Sequence, residues 1–359
     1  MAVLPDSYRG LSAGELRDRI REKKAALGNR LLILGHHYQR QEVIELADCR
    51  GDSLGLSRTA AGRTECEFIV FCGVRFMAES AEILRQDHQK VQHPDPLAGC
   101  PMADMAGIEE VEAAWSVVVE AAGEDRVVPV TYMNSSAELK AFCGRHGGVV
   151  CTSSNAPLAF RWALRRGERV LFFPDEHLGR NTAREVGIPE PEIALWDPVR
   201  SGRDGVVRDE LRHARLILWK GFCNVHTRFS PGDIAKARAL FPGAKVVVHP
   251  ECRQEVVQAA DAAGSTDFIC RYAAEAPAGS TLFIGTEINL VSRLAHEQPD
   301  KRIYELSRSL CPNMFRIDLA KLLWTLDGLG RVNLVQVHPE VKAQARMALE
   351  RMLELSPAA

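Results

Sequence analysis

The segment His36-His37-Tyr38-Gln39-Arg40-Gln41-Glu42-Val43 returns later in the chain as His249-Pro250-Glu251-Cys252-Arg253-Gln254-Glu255-Val256. The two copies align without a gap over eighteen residues, and each directly follows an apolar run, at residues 31–34 and 246–248. A strand that ends in polar residues and leads into a helix, used twice, indicates a duplicated α/β unit.

A weaker third copy lies between these two, where the apolar run at residues 127–130 leads into Thr131-Tyr132-Met133-Asn134-Ser135-Ser136-Ala137-Glu138. Glu138 aligns with the repeated glutamates of the other copies. The alignment then gives six polar residues at matching strand ends: His36, Tyr38, Tyr132, Asn134, His249 and Glu251. Residues at the carboxyl ends of parallel strands commonly form ligand sites. We therefore expect these six side chains to converge.

Each copy is followed by a cysteine in a turn-like setting, and the three are Cys100, Cys223 and Cys311. They lie 64, 91 and 62 residues after the first aligned polar residue of their copies. The longer middle interval predicts an insertion around Phe172 to Asp204. Three equivalent units would bring the three cysteines toward one pseudo-threefold axis.

The alternation of strands and helices predicts parallel sheets in layered α/β units. We expect three such homologous domains around a pseudo-threefold axis, at residues 1–110, 111–230 and 231–320, with the active site at their junction. C-terminal helices at residues 321–359 would pack back on this core. Within the first unit and the tail, the pattern predicts strands at residues 68–72 and 90–91. It predicts helices at residues 12–27, 42–48, 76–86, 107–122, 318–326 and 340–355, the first with Ser12 as its cap and Glu15 three residues on.

Composition excludes several classes of protein. The 359 residues carry a net charge of only −2, so no polyanion-binding field is indicated. No apolar stretch approaches the roughly 20 residues of a membrane helix, and the N-terminus lacks an apolar signal core. We expect a cytoplasmic protein without a nucleic-acid or membrane partner.

The ten cysteines include no CxxC pair, which argues against a zinc ribbon or a thioredoxin-like site. Three thiolates at equivalent positions suit an iron–sulfur cluster with one open iron, or a zinc ion completed by water or a histidine. Spacing alone does not separate the two. His226, close to Cys223, is better interpreted as a substrate-side or supporting residue than as a ligand.

Among the six strand-end residues, Glu251 is the one carboxylate and hence the best candidate for a general base. His36, His249 and Tyr132 can donate to carboxylates. A further set of hydroxyl residues lies near predicted helix starts: Ser53, Ser153, Ser265 and Thr266. These are ordinary N-caps, but the same helix N-termini favour a phosphate or carboxylate, and both interpretations can hold together.

Several longer motifs run in order through nearly the whole chain. They are His36-His37-Tyr38-Gln39, Gly51-Asp52-Ser53-Leu54, Gly99-Cys100-Pro101-Met102, Tyr132-Met133-Asn134-Ser135-Ser136, Cys151-Thr152-Ser153-Ser154-Asn155, Pro174-Asp175-Glu176-His177-Leu178-Gly179-Arg180, Gly221-Phe222-Cys223, His249-Pro250-Glu251, Gly264-Ser265-Thr266 and Cys311-Pro312-Asn313-Met314. Together they resemble the quinolinate synthase family of NAD biosynthesis.

This resemblance implies a [4Fe-4S] cluster on Cys100, Cys223 and Cys311, with the fourth iron open as a Lewis acid. It implies condensation of iminoaspartate with dihydroxyacetone phosphate to quinolinate, phosphate and water. Coupling to L-aspartate oxidase and a homodimer are further expectations. Family members that carry a CxxCxxC segment at the third cysteine differ from this chain, which has only Cys311 there, so a redox-switching disulfide is not expected.

The same resemblance implies roles for the polar residues. Glu251, Tyr38 and His36 would be catalytic, the first two through proton transfer. The substrate-binding residues, which hold carboxylate and phosphate groups, would be His36, Ser53, Tyr132, Asn134, Ser153, His249, Glu251, Ser265 and Thr266.

Two other classes of function compete with this one. A zinc hydrolase would use a cysteine with His249 and Glu251. An iron–sulfur sensor would only store the cluster, although the sequence has no basic segment or helix-turn-helix pattern for binding DNA.

Overall fold

The computed structural model of the chain describes residues 4–123, 126–199 and 206–356. In this part of the chain the strands form three sheets, and every pair of neighbouring strands is parallel. The first sheet contains β1 (Leu31–His36), β2 (Cys49–Gly51), β3 (Phe68–Cys72) and β4 (Lys90–Gln92). The second contains β5 (Val127–Tyr132), β6 (Val149–Cys151), β7 (Arg169–Phe173), β8 (Ile193–Trp196) and β9 (Leu216–Trp219). The third contains β10 (Lys245–Val248), β11 (Ala262–Ala263), β12 (Thr281–Gly285) and β13 (Arg302–Glu305).

Helices alternate with these strands, as the sequence pattern predicts for α/β units. Those of the first half are α1 (Asp6–Arg9), α2 (Ala13–Leu27), α3 (Gln41–Ile44), α4 (Ser53–Gly62), α5 (Arg75–Leu84), α6 (Ile108–Ala122), α7 (Ala137–Arg145) and α8 (Ala156–Leu164). Those of the second half are α9 (Glu176–Val186), α10 (Val206–His213), α11 (Pro231–Leu240), α12 (Gln254–Ala259), α13 (Thr266–Glu275), α14 (Ile288–Glu297), α15 (Leu319–Asp327) and α16 (Pro339–Leu355). Among the described residues, no helix is both long and apolar enough to cross a membrane.

The three sheets share one strand order. It is β2-β1-β3-β4 in the first sheet, β11-β10-β12-β13 in the third and β6-β5-β7-β9-β8 in the second. The second sheet therefore differs only by β8, which pairs with β9 at the edge. This strand accounts for the predicted insertion, but its predicted start was wrong because Phe172 lies within β7, the equivalent of β3 and β12. The predicted end, Asp204, lies outside the described residues.

A repeated aspartate explains much of the agreement between the first and third copies. The backbone N–H of Asp48 donates to Ile33 O at 2.8 Å, and its carboxylate accepts from Ile33 N at 2.7 Å. Asp261 makes the same pair of bonds with Val246, both at 2.9 Å. Each aspartate thus holds the chain against the central strand of its sheet. The predicted helix over residues 42–48 was too long, because α3 ends at Ile44 and Asp48 is bonded to β1 instead, just before β2.

The other predicted elements agree with the structure to within two residues at their ends. Ser12 and Glu15 form a capping box at α2, in which each side chain bonds the other residue's backbone N–H. The predicted domain limits at residues 110, 230 and 320 stay predictions.

The apolar cores of the three sheets are not equivalent. One large cluster joins the first and second sheets, with Leu32, Phe71, Val130 and Phe172 among its members. The third sheet has its own cluster on each face, around Val246 on one and Val247 on the other. Tyr38 packs against both the shared core and one cluster of the third sheet. The third sheet therefore docks on the rest with less shared apolar packing.

The C-terminal helix α16 packs closely on α7, and Gly144 makes this approach possible. A Cβ atom at Gly144 would lie 1.8 Å from the carbonyl oxygen of Gln344, which is impossible without moving one helix. We predict that Gly144→Ala lowers the free energy of unfolding by about 1–3 kcal/mol or more, because it overpacks a backbone contact. Denaturant unfolding followed by circular dichroism measures this change.

Gly62→Ala is the matched control, because a Cβ atom there meets nothing within 4 Å. It also lies in a helix, where alanine is favoured over glycine by about 0.5–1 kcal/mol. Equal stability of the two variants would contradict this account of the contact.

Candidate active site

Three strand ends, one from each sheet, meet around one cavity. Its walls include all six strand-end residues predicted to converge, namely His36, Tyr38, Tyr132, Asn134, His249 and Glu251. His36 and Tyr132 are the last residues of β1 and β5, and His249 directly follows β10. The repeat therefore places equivalent positions of the three sheets on one central space, as parallel strand ends require.

The two histidines of the repeat are held in the same way. The backbone N–H of Tyr38 donates to Nδ1 of His36 at 3.2 Å, and that of Glu251 donates to Nδ1 of His249 at 3.3 Å. Because Nδ1 accepts in both rings, the proton of the neutral ring resides on Nε2. Burial lowers the pKa of each histidine to about 3. Both rings are thus neutral hydrogen-bond donors at physiological pH.

The buried carboxylate of Glu251 takes partners from two other parts of the chain. Tyr132 donates its hydroxyl to Oε1 at 2.6 Å, and His226 Nδ1 lies 2.7 Å from Oε2. Burial by itself raises the pKa of Glu251, but His226, His249 and these hydrogen bonds outweigh it and hold the pKa well below its usual range. The carboxylate is therefore ionised and can accept a proton.

Tyr38 and His226 belong to the same hydrogen-bonded chain through Thr286, which follows β12. The Tyr38 hydroxyl lies 2.6 Å from Thr286 Oγ1 and 3.2 Å from His226 Nε2, and Thr286 Oγ1 lies 3.1 Å from that nitrogen. His226 lines the cavity, in accordance with its predicted substrate-side or supporting position. Thr286 was missed, because the equivalent position after β3 is Gly73 and the repeat gives no polar signal there.

The predicted hydroxyl set divides into two groups. Ser53, Ser153 and Thr266 line the cavity, whereas Ser265 is not part of its lining and instead caps α13 by accepting from Phe268 N. Ser53 and Thr266 are the first residues of α4 and α13. The N-caps of α4 and α8 are Asp52 and Asn155, so the N-cap interpretation is correct for Ser265 and wrong for Ser53, Ser153 and Thr266.

Asn181, which directly follows the motif at residues 174–180, contacts the loop that carries Glu251. The side-chain amide of Asn181, in α9, donates to the carbonyl oxygens of Pro250 and Cys252, both at 2.8 Å. These two residues flank Glu251 in sequence. Asn181 thereby orients the loop from the second sheet, a role that sequence reasoning missed because it depends on a contact between distant segments.

The three predicted cysteine ligands, Cys100, Cys223 and Cys311, all line the same cavity and are all free thiols. Burial, together with neighbouring acidic groups, raises the pKa of each of them, to about 12 for Cys100. Thiols of this kind become thiolates only on a cationic centre that offsets the charge.

The distances between possible ligand atoms help to distinguish a zinc ion from an iron–sulfur cluster. Among the described residues, the group whose ligand atoms all lie within 4.8 Å of one another is Cys223, His226 and Glu251, not the three cysteines. Thiolates on one zinc ion, with bonds of about 2.3 Å, lie within about 4 Å of each other. The three cysteine sulfurs therefore do not all lie within 4.8 Å of one another in this structure.

Comparisons with known proteins agree over nearly the whole chain. The family model described as "Quinolinate synthetase A protein" matches residues 18–354. A protein of Corynebacterium glutamicum named quinolinate synthase is 52% identical over 99% of this chain and 92% of its own length. Proteins with the same name from Streptomyces coelicolor and a Geobacillus species are 52% and 50% identical, over 95% and 98% of this chain and 88% and 97% of their own lengths.

The hydrogen bond from Tyr132 to Glu251 joins the second sheet to the third, and its contribution to the free energy of unfolding can be measured. We predict that Tyr132→Phe lowers the free energy of unfolding by about 1.5–3 kcal/mol, because a buried carboxylate loses a hydrogen bond. Tyr304→Phe is the control, since Tyr304 is 39% exposed and its ring packs on Phe241 and Phe283. Denaturant unfolding of both variants measures the difference, and a loss no larger for Tyr132 than for Tyr304 would contradict the prediction.

Proposed function

The chain belongs to the quinolinate synthetase A family, and from that premise we propose that it condenses iminoaspartate with dihydroxyacetone phosphate to quinolinate. The observation that carries the proposal is the cavity itself. Three repeated strand ends and three cysteine loops meet there, and the lining combines thiols, histidines and the buried carboxylates of Asp52 and Glu251. Such a lining suits two small anionic substrates and a bound metal centre.

The overall reaction balances without an oxidant or a reductant. Quinolinate takes all seven carbon atoms and the nitrogen of the two substrates together with four oxygens and five hydrogens, and the remaining phosphorus, oxygen and hydrogen atoms leave as phosphate and two molecules of water. The chemistry is therefore carbon–carbon and carbon–nitrogen bond formation with eliminations. It requires proton transfers and a Lewis acid, but no net transfer of electrons.

Cys100, Cys223 and Cys311 would hold a [4Fe-4S] cluster. With these three protein ligands, the bound cluster would have one iron without a protein ligand and would supply Lewis-acid chemistry. The donor set supports this assignment, because three thiols at the cavity wall are soft ligands with no competing disulfide among the described cysteines.

Substrate anions would be bound by neutral donors and helix N-termini. His36 and His249 donate through Nε2 without adding positive charge, so they orient carboxylates without holding them too tightly. Ser53 and Thr266, at the starts of α4 and α13, add hydroxyl groups where backbone N–H groups and the helix dipole already favour phosphate or carboxylate. Tyr132, Asn134 and Ser153 complete the polar wall, and Ser265 supports Thr266 by capping α13.

Proton transfer would involve Glu251 and Tyr38. Glu251 is ionised and accepts a proton from substrate carbon or nitrogen, while His226 on its other oxygen stabilises either protonation state. Burial raises the pKa of Tyr38 far above its usual value, so the hydroxyl keeps its proton and acts as a donor. His36 packs edge-on against the Tyr38 ring, with centroids 4.9 Å apart, and so orients it.

A zinc hydrolase is the second candidate, favoured by the Cys223, His226 and Glu251 group described above. It would use His226 in place of the His249 expected from the sequence. The relatives are all named as a synthase, which counts against the non-enzymatic iron–sulfur sensor. Direct supply of the imine by L-aspartate oxidase and a homodimer stay predictions.

Metal content separates the two enzymes. We predict that anaerobically purified protein is brown and contains about four irons per chain, as a [4Fe-4S] cluster requires. Serine substitution of Cys100, Cys223 or Cys311 should abolish cluster binding, measured by iron analysis and visible absorption. Cys66→Ser and Cys270→Ser are the controls and should keep full iron content. Colourless protein with one zinc, lost on Cys223→Ser but kept on Cys100→Ser, would establish the rival site instead.

The role of Glu251 is tested by its amide. We predict that Glu251→Gln keeps its iron but that its rate of quinolinate formation falls by at least about a hundred-fold, because the amide cannot accept the proton. Quinolinate formation is measured by chromatography under anaerobic conditions with chemically generated iminoaspartate.

Glu255→Gln is the matched control, since Glu255 is the repeated glutamate of the same segment but is exposed on α12. It should retain wild-type turnover. Full activity of Glu251→Gln with an intact cluster would refute the assignment of the base.

A further inference from the structure

Lys140, in α7, is a fully buried lysine that the chemistry above does not use. Its ammonium group donates to the carbonyl oxygen of Ser135 at 2.5 Å and lies 5.6 Å from the centre of the Phe76 ring. Within the described part of the chain it forms no ion pair. A buried ammonium normally needs a carboxylate partner or loses its proton, because removal from water costs several kcal/mol.

The nearby carboxylates do not supply that partner. Glu79 acts on Lys140 at a distance but is bonded to Arg75, with Nε and Oε1 2.8 Å apart. Glu138 also acts at a distance and is exposed to solvent. The ammonium group of Lys140 is therefore a buried positive charge that no neighbouring carboxylate pairs with directly.

The excess charge lies on the side of the cavity where Cys100 is found. Phe76, whose ring faces the ammonium group, lines the cavity together with Cys100. Burial lowers the pKa of Lys140 to about 8, and the carboxylates of Glu79 and Glu138 oppose that shift. A negatively charged centre on the three thiolates would thus act on Lys140 through a largely apolar wall, where electrostatic effects are weakly screened.

A doubly positive [4Fe-4S] core held by three thiolates carries one net negative charge. We propose that Lys140 is the buried counter-charge of this cluster: it stabilises the assembled centre and holds its reduction potential high. The inference rests on the proposed cluster. It explains why the fold tolerates an interior ammonium group that has one hydrogen bond to the described residues, since its charge is balanced only when the centre is present.

A simpler role must be separated from this one. The bond from Lys140 to Ser135 O also supports the turn that carries Asn134. Lys140→Gln keeps an N–H donor of similar reach but removes the charge, whereas Lys140→Met removes both. Lys140→Arg keeps the charge. Lys342→Met is the control, because Lys342 is a partly buried lysine that is paired with Glu82 at 3.0 Å.

The test uses cluster-loaded protein and two readouts besides turnover. A redox titration followed by electron paramagnetic resonance gives the midpoint potential, and a chelator challenge gives the rate of iron loss. We expect Lys140→Gln and Lys140→Met both to shift the potential to more negative values and to release iron about tenfold faster, the size seen when groups around a metal site are lost. Lys140→Arg and Lys342→Met should resemble wild type in both measurements.

Wild-type values in Lys140→Gln would overturn the proposal, because the hydrogen bond alone would then account for the lysine. If Lys140→Met does not fold, Lys140→Gln carries the test. Colourless wild-type protein would refute the proposed cluster itself, whereas brown wild-type protein with unchanged variants refutes only the role of Lys140.

Discussion

The ionised carboxylate of Glu251, buried where the three sheets meet, is the constraint on which the rest of the site depends. A buried charge is stable only with hydrogen-bonded partners, and none of these comes from the sheet that carries it. Tyr132 arrives from the second sheet and His226 from the loop after β9. The loop itself is oriented by Asn181 of α9. Docking of the sheets and assembly of the site are therefore one event.

The threefold repetition of the chain gives equivalent positions, and the chemistry uses their differences. His36 and His249 have the same backbone bond to Nδ1 and the same low pKa, so both are neutral donors. Two residues later the copies diverge to Tyr38, Asn134 and Glu251, which are a donor, an amide and a carboxylate. A scaffold of like units thereby surrounds two substrates that are unlike.

Features that recur in the sequence were predictable, and features that occur once were not. The six strand-end residues, the three cysteines and the parallel sheets all follow from a repeat that can be aligned. Thr286, Asn181 and Lys140 have no signal of that kind, since each matters through a contact with a distant segment. The helix after β1 was predicted too long because the bonds of Asp48 to Ile33 form only in the sheet. The spacing of the three cysteines in the sequence also did not distinguish an iron–sulfur cluster from a zinc ion.

The uneven distribution of the apolar cores determines which of the three sheets separates from the others at the lowest cost in free energy. The first and second sheets share one core, and separating them would expose much apolar surface to water. The third sheet keeps its core to itself and is joined to the others largely through polar groups, which water can solvate once they separate. Separation along the seam around the third sheet would consequently expose less apolar surface than separation of the first two sheets.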